Sequence, residues 1–303
     1  HGLPDAQRGA PQRRRRLPAE SGPQMKRALV LAAALLAGCV SMRQSTAPAP
    51  QLLHDGVVLE RSLPAKLPAE SAAFPGSQVV LVSTDSAAGL LVPVPFVADA
   101  VLAPMRQHQA HALGARFKAI DPYASMQQAM AGSPLLSAHG KGLALRPLAY
   151  LVDCSDAQYR LALVARIDTP HWMGRYMTHL PTTLPRAALQ GEGSLLPAAL
   201  PQEMAQAAGI LRTLLERDAR GELDQVLYRA DVGSYHLACS TISGMLSPKL
   251  MLARNAAVVE DGADHIIVRV AGDPSHSGPT GGLLYGLHYL RKDQLHTLQR
   301  KAP

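Results

Sequence analysis

The clearest helical period lies at Pro201–Arg220. Met204, Ala207, Ala208, Leu211, Leu214 and Leu215 recur at i, i+3 and i+4 spacing and make one apolar stripe, the pattern of a helix lying on a core. Pro201 suits the first turn and Gly221 the stop. Glu216 and Arg220 are placed as an i, i+4 ion pair on the outer face. The clearest two-residue period lies at Gln158–Asp168. There Tyr159, Leu161, Leu163, Ala165 and Ile167 alternate with Arg160, Ala162, Val164 and Arg166. Leu143–Asp153 precedes it, and Ser155-Asp156-Ala157 between the two is hairpin-sized.

Weaker patterns fill the rest. Val57-Val58-Leu59 suits a short strand, and Val79-Val80-Leu81-Val82 a buried one. Phe96–Phe117 has helical spacing at Val97, Val101, Met105 and His108, with Pro104 expected to kink or split it. Asp121-Pro122 opens a short helix through Met130. Pro170–Pro197 reads as mostly loop. Strand runs return at Val226–Arg229, Tyr235–Ile242, Ala256–Glu260, His265–Val270 and Leu283–Leu290, with Asp261-Gly262 as a hairpin turn. Arg291–Lys301 reads as a closing helix. Strands grouped apart from helices predict an α+β fold, a mainly antiparallel sheet with a few packed helices. That grouping argues against a two-lobed solute-binding protein, whose strands and helices alternate.

One stretch departs from all these periods. Lys26 and Arg27 precede an uncharged apolar run, Ala28–Ala37, which ends in Leu36-Ala37-Gly38-Cys39. A run this short suits a signal peptide, whereas a spanning helix needs about 20 residues. The final four residues resemble the lipobox of bacterial lipoprotein precursors. The resemblance covers only Met25–Cys39. It implies cleavage between Gly38 and Cys39, diacylglycerol on the Cys39 sulfur and an acyl chain on the new amino group. Two chains already anchor a protein stably to a membrane. Val40 stands where lipoproteins kept at the inner membrane usually carry Asp, which implies the outer membrane, periplasmic side.

The anchor divides the chain. Residues 1–24 read as an upstream extension ahead of the natural start, 25–38 as the signal peptide, 39–75 as a Ser-, Ala- and Pro-rich tether, and 76–303 as one globular domain. It also changes the charge argument. The whole chain is net +7, but seven basic residues, including Arg13–Arg16, and two acidic ones precede Cys39, so the remainder is only +2. No clustered basic face is left to suggest nucleic acid. The partners implied are membrane lipid through Cys39 and an envelope protein or cell-wall component.

Cys154 and Cys239 remain after the anchor. An oxidising periplasm favours a bridge between them, with two buried free thiols as the alternative. No close Cys/His pairing suggests zinc. His108 and His111 could present two ligands on one helix face, but the sequence nominates no third, and no motif calls for a cofactor. His171, Trp172, Arg175, Tyr176 and His179 make a compact run, HWMGRYMTH, which could line a ligand groove or plug one end of the sheet. Gly272–Gly282 holds Asp273, Ser275 and His276 among glycines. A lipid-tethered hydrolase could use them, but the chain has no GxSxG elbow, and a long hairpin loop is the plainer reading. A non-enzymatic envelope lipoprotein is the first expectation, and that hydrolase the alternative.

Overall fold

Among the described residues, eleven strands join in one mixed sheet with three α-helices. The computed structural model describes residues 56–68, 71–83, 95–137, 139–154, 157–170, 172–189, 196–234, 253–270 and 285–301, with only the backbone for 95–102. These residues all fall within the unit Met42–Pro303. In chain order the elements are β1 (Val57–Leu59), β2 (Ser71–Ala73), β3 (Val79–Ser83), α1 (Pro95–Gly114), α2 (Pro122–Met130), β4 (Leu143–Asp153), β5 (Gln158–Asp168) and β6 (Met173–Pro185). There follow α3 (Leu200–Ala219), β7 (Tyr228–Ser234), β8 (Ala253–Asp261), β9 (His265–Val270), β10 (Gly286–Arg291) and β11 (Leu295–Arg300).

The strand order is β11-β7-β8-β9-β10-β6-β5-β4-β3-β2. Strands β4, β5 and β6 form an antiparallel meander, and β7 to β10 form another. A parallel pair, β6 with β10, joins the two. Both β1 and β3 run parallel to β4 on one edge of it, β1 beside Leu143–Leu145 and β3 beside Ala149–Asp153. Parallel neighbours need a crossover, and α1 and α2 lie in the connection from β3 to β4.

All three helices bury their apolar residues against the same face of the sheet. Ala110 and Leu113 of α1, Met126 and Met130 of α2, and the α3 stripe share one core cluster with Leu151, Leu163, Tyr176 and Leu287. The buried set of α3 contains the six predicted positions, with Leu200 and Asp218 added. Asp121 caps α2 by accepting from the Ala124 N–H at 2.9 Å, and Pro122 follows it, an arrangement that satisfies the first turn. The second face carries two smaller clusters, Val80, Leu148, Tyr150, Val164 and Met177 on β3–β6, and Val232, Val258, Ile266 and Val268 on β7–β9. No helix among the described residues is long and apolar enough to cross a membrane.

The expected α+β class holds, with a mixed sheet that is mainly antiparallel. Four expectations need correction. Pro170–Pro197 contains β6, a 13-residue strand. Arg291–Lys301 is not a helix; it holds the end of β10, a 3-10 turn at Lys292–Gln294 and β11, which pairs with β7. Helix α1 runs through Pro104, which sits on its exposed side where the freed carbonyl can turn to water. The inward stripe of that helix is Arg106, Ala110 and Leu113, whereas Met105 is 64% exposed and His108 is exposed. The sheet also takes in β2 and β1, the latter at the Val57-Val58-Leu59 run expected as a short strand.

Candidate functional site

Strand alternation decides what the run from His171 to His179 can do. Successive side chains on a strand point to opposite faces. Trp172 and Tyr176 therefore join the helix-side core, at 7% and 1% exposure, and offer no exposed aromatic patch. Arg175 and His179 point to the second face and are also buried. The compact sequence cluster is thus split between two sides, and His171 lies outside the described residues. Two glycines make the local packing fit. A Cβ on Gly174 would lie 2.2 Å from the Trp172 ring, so the indole can fold back over β6 only at glycine. Gly286 has φ +130°, and a Cβ there would meet the Arg175 carbonyl oxygen at 2.6 Å, so β10 closes on β6 only at glycine.

On the helix side Tyr176 is part of a buried triad. Its hydroxyl donates to Asp218 Oδ2 at 2.7 Å, and Arg269 Nη2 donates to Asp218 Oδ1. Burial, and then the Asp218 charge, push the Tyr176 hydroxyl well above its ordinary range. The triad ties α3 to β6 and, across the parallel seam, to β9.

On the second face the register sets three arginines side by side. Arg146 faces Arg166, and Arg166 faces Arg175. Like charges directly opposite repel, so each guanidinium needs compensation. Arg146 donates to Glu60 Oε2 at 2.7 Å. Arg166 donates to Asp168 Oδ1 at 3.0 Å and to the Lys66 carbonyl at 2.6 Å. Arg175 Nε donates to the Tyr285 carbonyl at 2.7 Å, with its Cζ 4.4 Å from the Tyr285 ring centroid. Burial lowers the Arg175 pKa, the phenols of Tyr150 and Tyr285 partly offset this, and Arg166 works against them. Burial pushes the Tyr285 hydroxyl up to about 12, so it stays protonated and able to donate.

Two histidines stand beside this group. His179 and His288 project to the same second face, their rings stacked at 6.5 Å with an interplanar angle of 6°. Tyr150, Arg166, Tyr285 and His288 were not singled out from sequence. Arg166 was visible as the off-phase side of β5, but nothing local to β10 indicates that it lies beside β6.

The remaining predicted residues do not join this cluster. Cys154 follows β4 and is buried at 1% exposure in the second-face core; Cys239 lies outside the described residues, as do Gly38, Cys39, Asp273, Ser275 and His276. His108 and His111 are both exposed on α1, and no group of three metal-ligating side chains occurs among the described residues. The expected Glu216–Arg220 pair is replaced: Glu216 binds Arg212 at 2.7 Å and Ser133 at 2.6 Å, while Arg220 binds Glu222 at 2.6 Å. Comparison with family models, with curated proteins and with solved structures gives no match.

Proposed function

We propose that this chain is a bacterial envelope lipoprotein. Lipid on Cys39 holds it to the outer membrane, and its domain faces the periplasm and binds an envelope protein or cell-wall component without catalysing a reaction. One observation carries the anchor: the basic pair Lys26-Arg27, the uncharged run Ala28–Ala37 and the sequence Leu36-Ala37-Gly38-Cys39 stand in the order and spacing of a lipoprotein signal. Each element alone is common. Together they set a cleavage site and a sulfur nucleophile at one position. Support for the binding role comes from the second face, where the buried Arg175, Tyr150 and Tyr285 supply a cation and phenol donors suited to a small anionic group of such a partner. Those groups hold a ligand by charge and hydrogen bonds, and at neutral pH none of them is a strong nucleophile.

The test is Cys39→Ala in a bacterial host fed labelled palmitate. The native chain takes up label and loses residues ahead of Cys39. The variant is expected to stay uncut and unlabelled. Normal processing and labelling of the variant would end the lipoprotein reading.

A further inference from the structure

We propose that Arg175, with the hydroxyls of Tyr150 and Tyr285, holds a small oxyanion, a carboxylate or phosphate group, on the second face of the sheet. This deepens the binding role proposed above and rests on it.

The two tyrosines carry the inference. Tyr150 is 0% and Tyr285 is 1% exposed; the Tyr285 hydroxyl has no hydrogen-bond partner among the described residues, and the Tyr150 hydroxyl has only the Arg175 guanidinium, a donor, which leaves its own O–H without an acceptor. A buried O–H without an acceptor is destabilising, so two in one place mark a position where an acceptor belongs. The groups around them are rich in donors. Each phenol lies within electrostatic reach of the other, of Arg175 and, for Tyr285, of Arg166 and Asp168. The one carboxylate in that set, Asp168, is already engaged by Arg166 at 3.0 Å. Two O–H groups beside a guanidinium fit an acceptor carrying negative charge better than a neutral one.

The fold holds the arrangement in place. Arg175 is fixed at Nε by the Tyr285 carbonyl and stacks on the Tyr285 ring. Tyr285 directly precedes Gly286, whose missing Cβ allows β10 to close on β6 at Arg175. Tyr150 sits two strands away on β4 and is anchored in the apolar cluster with Leu148 and Val164. Tyr150 and Arg175 therefore lie on β4 and β6 of one sheet, and Tyr285 at the residue that leads into β10. Their burial limits the ligand to a small group.

The experiment is a thermal-shift titration of the full chain in detergent. Inorganic phosphate and sodium acetate are the probes, each compared with sodium chloride at equal ionic strength so that screening is held constant. A ligand that binds only the folded state raises the melting temperature with its concentration. Phosphate or acetate is expected to give a saturable rise, and chloride none. The Tyr150→Phe/Tyr285→Phe double variant removes two hydroxyls and keeps the packing, so it should fold and bind about tenfold more weakly or worse. Arg175→Lys keeps the charge but loses the planar fork, and should weaken binding as well. A saturable effect with phosphate alone assigns the site to phosphate groups, and with acetate alone to carboxylates. No saturable effect in the native chain, or an affinity unchanged in the folded double variant, overturns the oxyanion site. Either result leaves the lipoprotein anchor to be judged by Cys39→Ala.

Discussion

Asp218 is the next-to-last residue of α3, a position where the helix dipole disfavours an anion. It is also 2% exposed. A carboxylate persists there because Arg269 and Tyr176 each give it a hydrogen bond. Removing it strands a guanidinium whose side chain is only 12% exposed. Asp218→Ala should cost about 3 kcal/mol or more, the scale for breaking a buried ion pair. Tyr176→Phe removes one hydrogen bond to a charged group and should cost about 2 kcal/mol. Urea unfolding checks both through a lower midpoint at unchanged slope. Losses under about 0.5 kcal/mol in both variants would show that the triad does not hold α3 to the sheet. Neither partner of Asp218 was visible from its own neighbourhood in the sequence. Asp218 was legible as a helical position on the edge of the α3 stripe, but Tyr176 is 42 residues before it and Arg269 is 51 after it.

The β8–β9 hairpin is an element whose stability should depend on pH. His265 Nε2 lies 2.8 Å from Glu260 Oε1, and its Nδ1 lies 2.8 Å from Asp264 Oδ1. Its ring stacks on Tyr289 at 4.5 Å. Arg291 faces it across β10, and Arg217 of α3 binds the other oxygen of Glu260 at 2.5 Å. Burial alone lowers the His265 pKa, but the hydrogen bonds to Asp264 and Glu260 outweigh it, and the pKa ends above the ordinary 6.5. A raised folded pKa means stability fully present below pH 6.5 and lost as pH rises through the folded value. His296, lowered by burial, has the opposite sign, so the difference between native chain and variant isolates His265. His265→Gln should lose more stability at pH 5.5 than at pH 8.5, measured by urea unfolding at both. An equal loss at the two values would remove the pH dependence. The hairpin itself was readable, from the Asp261-Gly262 turn and the His265–Val270 run. Strand β6 was not, for a physical reason. Its first eight residues are all buried, so it lacks the polar-out alternation of a half-covered strand, and Gly174, His179 and Pro181 suggest loop. Strand β11 was misread because Leu295 and Leu298 have helical spacing, and pairing with β7 overrides that weak local preference.

For the molecule as a whole, the cysteine pair sets a condition on the sheet. We propose that Cys154 bridges Cys239, as the oxidising compartment implied by the proposed lipid anchor would favour. Cys154 follows β4, and Cys239 comes five residues after Ser234, the last residue of β7. Six strand spacings separate β4 from β7. At about 4.8 Å each they amount to about 29 Å across a flat sheet. Five extended residues reach about 17 Å, and a disulfide spans at most about 7 Å between Cα atoms. The two together fall short of the flat distance. β7 also runs antiparallel to β4, so Cys154 and Ser234 stand at opposite ends of the sheet as well, and the bridge requires chain ends that the strand order holds apart, along the strands as well as across them, to be brought together. Twist alone turns strands about one another without closing that gap. Thiol counting on denatured, unreduced chain should find both cysteines unreactive. Cys239→Ser should then destabilise by about 4 kcal/mol in the loop-entropy account, with Cys154 newly reactive. Two reactive thiols in the native chain would remove the bridge and the condition with it. No part of this condition could be read from the spacing of the cysteines in the chain. It appears only when the strand order and directions are known, because they set six lateral steps and opposite ends between β4 and β7.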